Sequence, residues 1–405
     1  ISVEHLLRQH RAAIDELKRM APPPLLKADG LPWDGVVKYD DLFYLRYVLS
    51  FPSDPKSAAD ALKFTFEFRS TPEHRKRVEL VASKEIEKEQ SIVESKKWSV
   101  AGPLGIGKDG KPNDRGVLKE ETGQGFVLTV RIAMCKRLDM SNCMPFAAQK
   151  NMQLLHREAG FQYVDRLTRE TGLLCKQVMF FDFKGASLSS MQDSRTRGIQ
   201  TEVSNIGKKA YPQLVDKLAM VNAPSWLAGI LKVLKAVLPK STLEKIELFS
   251  STDSLWESDW AKRRLKRENM PHFLGGYLPE AELAPELSGQ CLATESLPQI
   301  TIKARAKEKV SVDIFHAGKS TVEFLVSILN RGVHFSIFFV PTTAANETGE
   351  EVVLRTEHKI EAADGPILEK LVVTGPGTLH LAFSNTHSMM RDKTVVYRLH
   401  VQNDN

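Results

Sequence analysis

Apolar residues recur at intervals of three and four along the first hundred residues, with charged residues between them. This is the pattern of helices with one buried face. The first stripe runs from Leu6 to Leu17, and the prolines of residues 22–24 end it. Successive prolines remove backbone donors and disfavour the helical conformation before them. Residues 1–97 are therefore predicted to be helical, with further helices at 41–49, 57–69 and 72–97.

The central part of the chain alternates between two patterns. Residues 126–134 are rich in β-branched side chains, as strands are. Residues 178–183 are a nearly continuous apolar run, typical of a strand buried on both faces of a mainly parallel sheet. Helices are predicted at 149–171 and 224–238, and short strands at 218–221 and 245–249. This alternation predicts an α/β domain over residues 98–279.

The last hundred residues alternate apolar and polar side chains. Residues 280–297 lack periodicity and contain Pro, Gly and Glu, so they are predicted to be a linker. From residue 298 the apolar period is two, which predicts an all-β sandwich over 298–405. The alternating residues are Val333, Phe335, Ile337 and Phe339, then Leu379, Leu381 and Phe383, then Val395, Tyr397, Leu399 and Val401.

Composition is that of a globular protein, with 42% hydrophobic and 26% charged residues among 405. A net charge of +6 is a mild excess that suits an anionic membrane surface. It falls short of the dense basic stripe of a nucleic-acid-binding protein, so no nucleic acid is expected as a partner. The four cysteines lie far apart without zinc-site spacing, and a reducing compartment is expected. Because the chain begins at Ile1, the sequence leaves open whether the protein has an N-terminal targeting segment.

Catalytic motifs are missing from the sequence. Residues 102–108 match the first part of a phosphate-binding loop, but Asp109 stands where Ser or Thr binds magnesium. The sequence contains neither HExxH nor G-x-S-x-G. We therefore expect no enzymatic activity, no metal site and no cofactor, apart from a bound lipid or other hydrophobic ligand.

Two segments allow two interpretations each. The helix from Trp226 to Leu238 has an apolar arc of roughly 160°, which fits either a core helix or a lid over a cavity. The basic run is either the solvated face of a helix or a surface that faces an anionic membrane. Its basic residues are Lys262, Arg263, Arg264, Lys266 and Arg267.

Four motifs in order resemble the CRAL-TRIO lipid-binding domain, as found in tocopherol-associated proteins and the patellin-like phosphatidylinositol-transfer proteins. They are Asp182-Phe183-Lys184-Gly185, Tyr211-Pro212, Val221-Asn222-Ala223-Pro224 and residues 270–276. The last hundred residues resemble a GOLD domain, whose typical ending appears as Gly375-Pro376-Gly377, residues 379–383, Asn385-Thr386-His387-Ser388 and residues 394–401.

The resemblance implies a cavity that holds one hydrophobic molecule beneath a gate helix. Residues implied to line the pocket are Val130, Ile132, Phe181, Phe183 and Tyr211. Residues implied for the gate helix are Trp226, Leu227, Ile230, Leu231 and Leu234. Family positions that hold an inositol phosphate correspond to Glu202 and Lys235, with Lys232 on the same helix as a further head-group candidate. The family's basic pair is replaced by Phe51 and Pro52, and its phosphocholine contacts by Gln177 and Met179.

The resulting hypothesis is a cytoplasmic, peripherally membrane-associated protein that binds and transfers a phosphoinositide-type phospholipid or another lipid. Its β-sandwich would contact the membrane or a protein partner. The alternative is a structural or scaffold subunit of a larger assembly that retains the lipid-binding fold.

Overall fold

The computed structural model describes residues 2–24, 36–104, 117–119, 125–188, 193–234, 243–287, 297–342 and 349–403, without the side chains of Phe126 and residues 231–234. The chain divides into two compact units. The first comprises residues 1–136, 150–192 and 201–292, and the second comprises 137–149, 193–200 and 293–405.

The N-terminal region is helical, as predicted. Its helices are α1 (Val3–Gln9), α2 (Arg11–Met20), α3 (Asp41–Ser50), α4 (Pro55–Ser70), α5 (Pro72–Ala82) and α6 (Gln90–Lys96). The single helix predicted over 72–97 is thus divided in two. Lys84 has a φ of 60°, a left-handed conformation that a continuing α-helix excludes, and a short 3-10 turn at Ile86–Lys88 separates the two parts.

A five-stranded sheet follows in the described part of the chain, in the order β1-β2-β3-β4-β5. The strands are β1 (Ala101–Leu104), β2 (Phe126–Arg131), β3 (Gln177–Asp182), β4 (Val215–Val221) and β5 (Ile246–Leu248). Neighbouring strands from β2 to β5 run parallel, and β1 pairs antiparallel with β2. The expected α/β fold is confirmed. Strand β1 occupies the first part of the glycine-rich segment, and residues 105–108 lie outside the described residues.

The helices of this central region are α7 (Arg137–Cys143), α8 (Phe146–Thr171), α9 (Arg197–Ala210), α10 (Ser225–Leu234), α11 (Thr252–Glu257) and α12 (Asp259–Arg264). Strand β2 ends at Arg131, and Ile132 belongs to a 3-10 turn that follows it, not to the strand as predicted. Within the predicted linker, Glu280–Glu282 and Pro285–Leu287 form short 3-10 turns, and Leu283 and Leu287 are buried.

The second unit contains two four-stranded antiparallel sheets, β10-β9-β12-β7 and β11-β8-β13-β6. Their strands are β6 (Gln299–Ile302), β7 (Lys307–Ile314), β8 (Lys319–Ile328), β9 (Gly332–Pro341), β10 (Val352–Glu361), β11 (Ile367–Thr374), β12 (Gly377–Ser384) and β13 (Lys393–Asn403). Both sheets contribute to one apolar core, where Phe324 of β8 and Phe335 of β9 have ring centroids 6.2 Å apart. The predicted β-sandwich is therefore present.

Two segments from the centre of the sequence belong to this second unit. Arg195 follows Asp193, which accepts bonds of 2.9 Å from its guanidinium group. The buried guanidinium group also donates to Ser327 Oγ at 3.2 Å and to the Ile328 carbonyl at 3.4 Å. These bonds join residues 132 and 133 positions apart, so no local sequence pattern indicates them. The domain boundaries given above stay a prediction.

Buried ion pairs join the N-terminal helices to α8. Arg69 of α4 donates two bonds to the Glu158 carboxylate, at 2.9 and 3.0 Å, and neither side chain is exposed. Arg46 of α3 lies 3.4 Å from Asp165 and donates to Thr168 Oγ1 at 3.1 Å. Burial by itself raises the pKa of Glu158, but Arg69 and the nearby His74 outweigh burial and hold that pKa well below its usual range.

Removing one member of the Arg69–Glu158 pair is expected to cost about 3–5 kcal/mol of unfolding free energy, because the other charge stays buried without its partner. We expect Arg69→Met and Glu158→Leu each to lose this much, and the double variant to lose less than the sum. Denaturant unfolding followed by tryptophan fluorescence tests this, since all five tryptophans lie between residues 33 and 260.

The matched control is the exposed pair of Lys88 and Glu85, which lie 2.9 Å apart. Substituting either residue by Ala should change the unfolding free energy by no more than about 1 kcal/mol. Equal losses at the exposed and the buried pair would contradict the assigned role of Arg69.

Candidate functional site

Two rows of apolar side chains cross one face of the five-stranded sheet, which we call the front face. Strand register aligns them from β1 to β5. The rows are Pro103–Leu128–Met179–Leu218–Ile246 and Ala101–Val130–Phe181–Met220–Leu248. With strands about 4.8 Å apart, each row spans roughly 19 Å. No polar side chain interrupts either row.

Exposure distinguishes the front face from the opposite, rear face. Along β3, Val178 and Phe180 are completely buried on the rear, where they pack in a large apolar cluster with residues of α11 and α12. Met179 and Phe181, which alternate with them along the strand, are only partly buried. The other members of both rows are also partly exposed. The sequence predicted that β3 is buried on both faces, and the structure departs from that prediction on the front face. A continuous apolar surface that the protein leaves partly uncovered can receive an apolar ligand.

Helix α10 packs against one end of the front face. Leu227 is buried with Ile132 and Phe183, while Trp226, Val130 and Phe181 pack around them. The rings of Trp226 and Phe183 meet edge to face with centroids 6.2 Å apart. Most of the predicted pocket residues and the start of the predicted gate helix are thus in one cluster.

Tyr211 lies elsewhere. It is buried in the core that the N-terminal helices form with α8, where its ring centroid is 5.7 Å from that of Phe161. Ile230 is partly buried, and the side chains of Leu231 and Leu234 are outside the described residues.

A hydrogen-bonded junction fixes the beginning of α10. Asn222 has a φ of 54°, which turns the chain out of β4, and its Nδ2 donates to Asp182 Oδ1 at 2.8 Å. The same carboxylate oxygen accepts from the Lys184 amide at 3.0 Å. The Ala223 amide donates to the Phe249 carbonyl at 2.9 Å. Two of the sequence motifs therefore join at this junction.

A pocket of about 390 Å³ with both charged and apolar lining residues opens beside this junction, at the carboxyl ends of β2 and β3. Its lining includes Arg131, Asp182, Lys184, His272 and Glu280. Arg131 lies 3.1 Å from the Glu280 carboxylate and 4.3 Å from the centre of the Phe273 ring. Acidic and basic groups balance here, so the pocket gives no electrostatic preference for an anionic head group.

Two glycines of the fourth motif shape the wall of that pocket. Gly275 has a φ of 75°, and a Cβ on Gly276 would lie 2.0 Å from the Met270 carbonyl oxygen. Trp256 Nε1 donates to the Leu274 carbonyl at 2.8 Å. These contacts give residues 270–276 a structural role that positions His272 and Phe273.

The three predicted head-group residues are only partly described. Glu202 lies on α9 and forms an ion pair with Lys150 of α8, a partner that the family resemblance did not suggest. Lys232 lies within α10, its side chain is outside the described residues, and Lys235 lies outside them entirely. A Lys–Glu pair between separate helices has no sequence signal.

The basic run is divided by its contacts. Lys262 and Arg263 are exposed, and Lys266 is half-buried. Arg264 forms an ion pair of 3.1 Å with Asp216. Arg267 donates to the Gly275 carbonyl at 3.0 Å and lies over the rings of Trp256 and Tyr277. Two of the five charges therefore hold the fold together, and a membrane role for the run stays a prediction.

None of the described helices is both long and apolar enough to cross a membrane. Among the described residues, no group of His, Cys, Asp and Glu is arranged to hold a metal ion.

Comparison with known proteins identifies the central domain. Residues 128–276 match the model of the CRAL/TRIO domain, and this part of the chain is a CRAL-TRIO domain. The chain is 37% identical over 70 residues to the SEC14 cytosolic factor of Yarrowia lipolytica, covering 17% of this chain and 14% of that protein. It is 30% identical over 110 residues to the SEC14 cytosolic factor of Kluyveromyces lactis, covering 27% of this chain and 35% of that protein. The chain thus spans well under half the length of these relatives.

Among solved structures, the crystal structure of Sfh5 is similar at 16% identity and a TM-score of 0.43, over 68% of this chain and 86% of that one. The resemblance of the C-terminal residues to a GOLD domain stays a prediction.

The hydrogen bond from Asn222 to Asp182 is expected to restrain the start of α10. Asn222→Gly keeps the left-handed backbone accessible but removes the bond to Asp182. We expect faster amide hydrogen exchange in Ser225–Leu234, because the start of the helix loses one of its attachments. Gln213→Gly is the matched control, since Gln213 has a φ of 55° and its Nε2 donates to Ser50 Oγ at 3.1 Å. Equal exchange in α10 in the parent and Asn222→Gly would show that the bond does not restrain the helix.

Proposed function

We propose that this protein binds a hydrophobic ligand, with a phospholipid as the leading candidate, over the front face of the sheet and transfers it between membranes. The observation that carries the proposal is the pair of apolar rows, which remain partly exposed across all five strands, whereas Val178 and Phe180 on the rear face of β3 are completely buried. Exposing acyl chains to water costs about 0.8 kcal/mol per methylene group, so a carrier needs such a surface.

Helix α10 acts as the cover of this site. Its position against Phe181 and Phe183 supports that role, as does its attachment through one left-handed residue, Asn222. A helix that pivots about this residue can move without disturbing the sheet. The presence of a CRAL-TRIO domain supports the same assignment, because the resemblance to that family implies a lipid cavity with a gate helix.

The protein performs no chemistry on its ligand in this proposal. It acts in the cytosol, and its β-sandwich, which resembles a GOLD domain, contacts the membrane or a protein partner. Glu202, Lys232 and Lys235 are proposed to contact the head group, and Lys150 accompanies Glu202 as its ion-pair partner.

Substituting Phe181 tests the ligand site directly. Phe181→Asp places a charge in the middle of the apolar rows, where desolvation opposes it. We expect at least a tenfold loss of the lipid-sized adduct in native mass spectrometry of gently purified protein, equivalent to about 1.4 kcal/mol.

Val372→Asp is the control for that experiment, because Val372 is an exposed apolar residue of the sandwich, 57% accessible. It should leave the adduct unchanged. A parent protein without any adduct would favour the scaffold alternative, and an unchanged adduct in folded Phe181→Asp would place the ligand elsewhere.

The head-group proposal predicts a loss of phosphatidylinositol uptake in Lys235→Ala. A single lysine can satisfy one phosphodiester through a charge-assisted hydrogen bond of roughly 1.5–3 kcal/mol. Uptake from labelled vesicles should fall about tenfold or more. Lys63→Ala removes an exposed lysine of α4 and should have no effect. If the parent takes up no phosphatidylinositol, the head-group assignment fails, and uptake of neutral lipids then tests the ligand site separately.

A further inference from the structure

One end of the β-sandwich presents two methionines to solvent. Met389 and Met390 lie in the connection between β12 and β13 and are 71% and 89% exposed. They are the central residues of a tight turn from Ser388 to Arg391, which we call the Met tip. Ser388 Oγ donates to the Arg391 carbonyl at 3.0 Å and accepts from the Arg391 amide at 3.3 Å, so the turn is closed by its own side chain.

A buried asparagine fixes the base of the Met tip. Asn385 is completely buried, and its Nδ2 donates to the carbonyls of Ile302, Lys303 and Arg391 at 3.2, 3.1 and 2.9 Å. The Arg305 amide donates to the carbonyls of Asn385 and Ser388 at 3.2 and 3.1 Å. The connection between β6 and β7 is thereby bonded to the connection that carries the methionines. The tip is a pre-ordered projection, and inserting it elsewhere costs little further ordering.

Positive charge surrounds the Met tip. Lys303, Arg305, Arg331 and Arg391 are exposed on three connections at this end, and Asp392 lies on one of them. The connection after β10 also lies here, because its Ala362 amide donates to the Arg331 carbonyl at 2.7 Å, and it carries the exposed Asp364. Four positive charges and the two aspartates leave +2. Asp392 is engaged by Lys303 at 2.9 Å and by the Ala304 amide at 3.0 Å. Glu361, which lies beside Gly332, is paired with Lys359.

We propose that the Met tip docks the sandwich on an anionic membrane, with Met389 and Met390 inserted among the acyl chains and the surrounding arginines on the lipid phosphates. Unbranched methionine side chains adapt to an irregular apolar environment. Basic residues near a membrane surface are attracted to anionic lipid. The proposal rests on the proposed membrane contact of the sandwich and assigns that contact to particular residues.

The test compares flotation of the full chain with vesicles of phosphatidylcholine alone and with about one third phosphatidylserine. We expect the parent to bind the anionic vesicles, and Met389→Asp/Met390→Asp to bind them at least about tenfold less tightly. Met389→Leu/Met390→Leu should retain binding, because leucine is also apolar. Arg305→Glu/Arg391→Glu should lose binding, and added salt should weaken the parent.

Phe315→Asp is the matched control. Phe315 is 87% exposed but follows the end of β7 that pairs with Gly377, whereas the Met tip follows the end of β12 that pairs with the start of β7. Eight residues of strand, about 27 Å, separate the two ends. Unchanged binding in Met389→Asp/Met390→Asp, or a loss only in Phe315→Asp, would overturn the proposal. No binding of the parent to either vesicle would overturn it as well.

Native mass spectrometry separates this inference from the proposed ligand site. Met389→Asp/Met390→Asp should keep the lipid-sized adduct of the parent while losing vesicle binding, and Phe181→Asp should do the reverse. An adduct that persists together with unchanged vesicle binding in the methionine variant would refute the Met tip alone.

Discussion

Glu158 and Asp165 lie seven residues apart on one face of α8, and each meets a buried guanidinium group from the N-terminal helices. Taking these charges out of water is costly, and their mutual attraction compensates only when the geometry is good. The bidentate contact of Arg69 meets that condition, and Gln162 adds a bond of 2.9 Å to Glu158. We infer that the two pairs fix the register of the helical region on α8, because a shift by one turn would leave two buried charges unpaired.

The position of α8 in turn determines how the sheet is covered. Gly160 lies two residues from Glu158, and a Cβ at that position would be 3.2 Å from Gln177 Oε1 at the start of β3. The helix therefore approaches the strand closely at this point. Toward the other ends of the strands the front face is partly exposed, and α10 packs there against Phe181 and Phe183. The helix that carries the buried ion pairs thus lies close to the start of β3, and the front face stays partly exposed toward the other ends of the strands.

The elements of the fold were largely predictable. Periodicity located the N-terminal helices, the run at 178–183 identified the central strand, and alternation after residue 298 identified the sandwich. Errors came where local pattern and tertiary contact differ. Strand β1 has only four residues and is held by pairing with β2. Arg195 belongs to the second unit through bonds to residues 327 and 328.

The candidate site was predictable in its residue types and less so in its geometry. The sequence by itself determined that Val130, Phe181, Phe183 and Trp226 are apolar members of strands and a helix that must be covered. It also contained the motifs with Asp182, Asn222 and the glycines at 275 and 276. These motifs lie at backbone turns that few residue types can adopt. Only the tertiary structure decided that two apolar rows align across five strands, that Glu202 meets Lys150 and that Arg264 meets Asp216. Register and ion pairing join residues that are distant in sequence, and the energy of such contacts depends on distance in space, which no local pattern of residues encodes.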